Sequence, residues 1–152
     1  PTLRHTDYRI TYSIRKFYDV DDIRRVFASN PRYLSLNELF LLANSYPAGS
    51  PEHEEVFDVA ASLFPESAVA NLNAANSAMN RGKYELAARY LDRAGSSPEV
   101  TYARGVLAVL TSDLPAATQL FQQALSAGVV EAQAALDEIE RVNSYKGHVE
   151  IL

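Results

Sequence analysis

The sequence predicts an all-α protein in which antiparallel helical hairpins stack into a superhelix, preceded by a short β-strand segment. Three observations carry this. From Asp19 onward apolar residues recur every three to four positions, the period of a helix with one buried face. Ser, Asp, Pro and Gly interrupt that pattern where short helix–helix turns need them. One stretch of chain also repeats itself at an offset of 30 residues.

The elements follow in order. Tyr8, Ile10, Tyr12 and Ile14 alternate with Arg9, Thr11, Ser13 and Arg15, the period of a half-buried strand. A lone strand needs a pairing partner, so residues 1–18 read as the end of a preceding domain. Together with Pro1 as the first residue, this reads as a fragment or a processed chain. Val20 to Ala28 form a short helix with Ile23, Val26 and Phe27 on one face, stopped at Asn30-Pro31. Ser35-Leu36-Asn37-Glu38 is a capping box that opens a helix to about Ser45. Ser50-Pro51-Glu52 and Ser97-Pro98-Glu99 each start another, with serine capping, proline in the first turn and glutamate at the positive end. Gly82, Gly95 and Gly128 close apolar runs, where glycine adopts a left-handed cap at no steric cost.

The repeat sets Gly82-Lys83-Tyr84-Glu85-Leu86-Ala87 beside Ser112-Asp113-Leu114-Pro115-Ala116-Ala117. The same offset matches Ala75 with Gly105, Ala78 with Ala108, Leu91 with Phe121 and Ala94 with Ala124. Going backward, an offset of 34 places Leu91 on Phe57 and Ala94 on Ala60. Helices approach closely where one presents Ala or Gly, and no single hairpin buries its apolar face alone, so neighbours stack. The expected organisation is a helical repeat domain over residues 19–142. Its hairpins lie near 35–65, 67–95 and 98–128, a capping helix covers 130–141, and 143–152 form a C-terminal tail.

This small–small–aromatic–small pattern with a Gly-x-Tyr turn resembles the tetratricopeptide repeat. Gly82, Tyr84, Ala87 and Ala94 fall on its consensus positions, as do Gly105, Ala108, Ala117, Phe121 and Ala124. The chain departs from the pattern in its 30-residue spacing, in Asn71 and Thr101 where the signature Trp stands, and in keeping the closing proline only as Pro65. A narrower resemblance rests on three stretches: Leu34-Ser35-Leu36-Asn37-Glu38-Leu39-Phe40, Ser45-Tyr46-Pro47-Ala48-Gly49-Ser50, and Phe64-Pro65-Glu66 through Asn71-Leu72-Asn73-Ala74-Ala75-Asn76. These resemble the C-terminal region of exported Bacteroidetes proteins associated with fimbrial operons. In that family the region follows an N-terminal domain of unknown function, often with an outer-membrane-protein-A-like part. The resemblance implies a periplasmic, outer-membrane or cell-surface location. Its implied partner is a protein or peptide: a fimbrial subunit, another envelope protein, or the parent's own N-terminal domain.

Composition narrows the function classes. With no cysteine, disulfide scaffolds, zinc–thiolate sites and thiol nucleophiles are excluded. The net charge of −5 is uneven: residues 1–34 carry seven Lys/Arg against four Asp/Glu, and residues 35–152 carry seven against fifteen. An acidic body repels phosphate backbones, so no nucleic-acid partner is expected. The densest apolar run, from Val100 to Leu110, is too short for a membrane span and contains Arg104, so no direct membrane insertion is expected.

Candidate chemistry is sparse. His5, His53 and His148 lack the i, i+4 partner of a helical metal site. No nucleophile elbow, phosphate loop or dinucleotide fingerprint occurs. Glu54-Glu55 and Glu138 with Glu140 read as exposed helix carboxylates rather than acid/base pairs. A non-enzymatic protein without a cofactor or metal site is therefore expected.

The candidate partner-binding residues are Asn73, Asn76 and Asn80, at helical spacing on one first helix, with Tyr102 and Arg104 on the next. Carboxamides both donate and accept, which suits a peptide backbone or a terminal carboxylate. In tetratricopeptide proteins that clamp peptide C-termini, asparagines at the positions of Asn73 and Asn76 hold the carboxylate. The plainer reading has these asparagines bonded to nearby backbone, Asn71 above all. Tyr33, Phe40, Tyr46, Phe57 and Phe64 are expected mostly in the core, and Tyr84, Tyr90 and Tyr102 partly exposed. The competing structural reading is a spacer or stabilising cap for the parent's N-terminal domain, and a second alternative is a cell-wall-binding or enzymatic domain.

Overall fold

The computed structural model describes residues 19–151, with side chains through Tyr145; the expected strand through Tyr8 to Ile14 lies outside them. The described residues form eight α-helices and one 3-10 turn, with no strand. The chain divides into two compact units at Leu63 and Phe64.

In the first unit, α1 (Val20–Ser29) leads through a 3-10 turn (Pro31–Tyr33) into α2 (Leu36–Asn44) and α3 (Pro51–Leu63). Each start has a side-chain cap. Asp19 accepts from the Asp22 amide at 2.8 Å and Ser50 from the His53 amide at 3.2 Å. At Ser35 the box is reciprocal: the hydroxyl accepts from the Glu38 amide at 3.2 Å, and the Ser35 amide donates to Glu38 Oε1 at 2.8 Å. Ser35→Ala removes one of these two bonds and is expected to lower stability by about 1 kcal/mol, read as a lower urea midpoint with an unchanged slope.

Ile23, Leu39, Leu42, Val56 and Phe57 are buried in this unit, and the Phe40 and Phe57 rings lie 6.0 Å apart. Two aromatics depart from expectation. Tyr33 is 70% exposed, because the 3-10 turn breaks the helical phase that would have turned it inward. Tyr46 is half-buried through a cation rather than a core: Arg24 Nε donates to its hydroxyl at 3.0 Å, and the guanidinium lies 5.3 Å from the ring centre.

The second unit contains α4 (Ala68–Asn80), α5 (Tyr84–Ala94), α6 (Pro98–Leu110), α7 (Leu114–Ser126) and α8 (Glu131–Ile151). Consecutive helices pack on one another, and α4 also lies against α6. The repeat is visible in the backbone. After α4, Gly82 has φ +75° and the Lys83 amide donates to Ala78 O at 2.9 Å. Thirty residues on, Ser112 has φ +65° and the Asp113 amide donates to Ala108 O at 2.8 Å. Both are the same left-handed helix stop, and the fold is an all-α helical repeat. Tyr90 is buried, not partly exposed as expected, since it lies on the same side of α5 as Ala87, Leu91 and Ala94.

The last helix also differs from expectation. It continues to Ile151, into the 143–152 stretch read as a tail. Apolar spacing fades there, but no proline interrupts the helix, and isolated glycine (Gly147) is tolerated within one.

Candidate binding face

Asn71 and the other three asparagines of α4 behave differently. Asn71 is fully buried, and its Nδ2 donates to Pro65 O at 3.0 Å and Ser67 O at 2.9 Å. It ties the connection before α4 to the helix. Asn73 is half-buried and Asn76 and Asn80 are exposed. Among the described residues no hydrogen bond engages these three carboxamides. The plainer expectation, local backbone bonding, therefore holds for Asn71 alone.

The neighbouring helix supplies a different surface from the one expected. Arg104 reaches back to α5, where Nη2 donates to Leu91 O at 3.2 Å and to Asp92 Oδ1 at 3.3 Å. Tyr102 packs on Phe121 of α7, with ring centres 5.4 Å apart. Neither joins the asparagines. At the 30-residue offset, Asn73, Asn76 and Asn80 correspond to Ala103, Val106 and Leu110 on α6. Val106 is half-buried and Leu110 is 41% exposed. The polar positions on α4 thus correspond to apolar ones on α6, where Ala103 is buried, Val106 packs against the cluster around Phe121, and Leu110 is exposed. The signal for Val106 and Leu110 was present in the repeat itself, by carrying the asparagine positions forward one period.

The other candidates do not converge. His53 sits edge-on to Phe57, with ring centres 4.7 Å apart, and its Nδ1 is buried without a hydrogen-bond partner. His5 lies outside the described residues, as does the side chain of His148. Glu54 is buried while Glu55 is exposed, and Glu138 pairs with Arg141 at 2.5 Å. Among the described residues, no group of three or more His, Asp or Glu is placed to hold a metal ion. No described helix is long and apolar enough to cross a membrane.

These features define a helical-repeat protein whose α4 carries three unengaged carboxamides. No protein-family model matches the chain, and no curated protein matches it significantly.

Proposed function

We propose that the protein is a non-catalytic interaction module, of the tetratricopeptide type, that holds an extended peptide or protein segment across α4 and α6. The observation that supports this reading is the set of three unengaged carboxamides on successive turns of α4. Such groups gain hydrogen bonds from a peptide backbone, while Val106 and Leu110 take up its apolar side chains. The resemblance of residues 34–76 to exported, fimbria-associated proteins supports a partner in the bacterial cell envelope. Arg104 is engaged by α5, so the asparagines recognise backbone amides and carbonyls rather than a carboxylate held by a cation.

The test is a peptide array of envelope-protein sequences, followed by affinity measurements on the best binders. Asn73→Ala, Asn76→Ala and Asn80→Ala combined are expected to weaken binding at least about tenfold, since each lost hydrogen bond contributes roughly 0.5–1.5 kcal/mol. The thermal midpoint should stay within a degree or two, because among the described residues no hydrogen bond engages the three carboxamides. Unchanged affinity in the triple variant would leave the spacer reading in its place.

A further inference from the structure

Three first-position helices turn the same i, i+3, i+4, i+7 set inward. These are Asn71, Ala74, Ala75 and Ala78 on α4; Thr101, Arg104, Gly105 and Ala108 on α6; and Ala132, Ala135, Leu136 and Ile139 on α8, all buried or half-buried. The third member is small on the first two helices. There the following helix comes so close that a Cβ on Gly105 would stand 2.6 Å from the Phe121 ring. On α8 the corresponding residue is Leu136.

A groove of about 480 Å3, open to solvent, runs beside Leu136 between α7 and α8. Leu136 and Ile139 provide its apolar part, and Thr118 and Gln122 of α7 the opposite wall. Its rim carries the carboxylates of Asp137 and Glu140, and among the described residues no Lys or Arg lines it. Gln133 Nε2 donates to Asp137 at 2.9 Å, which holds that carboxylate in place. Glu138 is spent elsewhere: the hydrogen bond and charge of Arg141 hold it below the usual carboxylate range. Over residues 131–151 five acidic residues stand against two basic ones.

We propose that this groove docks a basic amphipathic helix from a partner protein. Leu136 acts as the large knob, so the incoming helix presents alanine or glycine opposite it, the reverse of the Gly105 and Phe121 arrangement. Lys or Arg flanking that small-residue stripe reach Asp137 and Glu140. This surface is separate from the α4 and α6 face.

The test uses fluorescence anisotropy with a labelled 18-residue helical peptide of Ala, Leu and Lys carrying an alanine stripe, and a control in which Glu replaces Lys. The Lys peptide is expected to bind with Kd below ~100 μM at low salt, and the Glu peptide not to saturate. Asp137→Asn with Glu140→Gln, both exposed positions, should weaken binding at least tenfold without changing the circular dichroism. The triple asparagine variant should bind the Lys peptide like wild type, which keeps this surface distinct from the first. No saturable binding, equal binding of the Glu peptide, or undiminished binding to the double variant overturns the proposal. So does a sedimenting dimer dissolved by Leu136→Lys, since a second copy would then cover the groove.

Discussion

Phe121→Ala is expected to destabilise the second unit by about 3–5 kcal/mol, read as a large fall in the urea midpoint. The ring is 1% exposed and sits among Ala117, Ala124 and Ala132, whose methyl groups cannot move in to refill the space. Its partner is Gly105. Alanine is ordinarily preferred over glycine inside a helix by about 1 kcal/mol, so Gly105→Ala would normally stabilise. Here the new methyl would meet three ring atoms at 2.6, 2.8 and 3.1 Å, and the buried ring has nowhere to go. Overpacking of this kind costs about 1–3 kcal/mol, so a net loss is expected. Gly105→Ala combined with Phe121→Leu should lose less than the sum of the two single changes, because the smaller side chain makes room for the methyl. Additive losses would show that the two residues are not in the close contact described.

Asn71→Asp is expected to cost about 3 kcal/mol or more at pH 7, well beyond Asn71→Ala at about 1–3 kcal/mol. The alanine leaves Pro65 O without its donor and removes one of the two bonds to Ser67 O, which keeps the backbone amide of residue 71, whereas the aspartate turns a buried anion toward both carbonyls. The wild-type Oδ1 is already buried without a partner, so the pocket offers the anion no donor there. The pH dependence follows from proton binding. The neutral acid can still donate to a carbonyl, so the folded state holds its proton more tightly than the unfolded chain, where aspartate titrates near ~3.9. Stability of this variant relative to wild type should therefore fall as pH rises above that value, and recover as pH drops toward it. A penalty independent of pH between 3 and 7 would contradict this account.

Local rules made much of the fold legible. The Ser35–Glu38 box, the serines before Pro51 and Pro98, and the left-handed stops at Gly82 and Gly128 act over three or four residues, and the structure shows each of them. Tyr33 and Tyr90 depart from the pattern in the sequence because helical phase decides whether an aromatic is buried, and a single 3-10 turn or a shift of one position reverses it. Arg104 was the least legible residue. Its spacing places it on the candidate helix, but a long side chain reaches whichever acceptors the neighbouring helix brings near, here Leu91 O and Asp92.

The amino-acid order alone determined that the chain from Asp19 onward is helical, where most helices start and stop, and that a unit of 30 residues recurs, because these depend on contacts between near neighbours. Tertiary structure decided which side chains remain available to a partner. Asn71 closes a turn while Asn73, Asn76 and Asn80 stay unengaged, and Leu136 lines a groove where Gly105 admits a ring. Residues of one chemical type diverge in this way because burial and hydrogen bonding depend on how close the next helix comes, and that distance is set by packing between segments far apart in the chain.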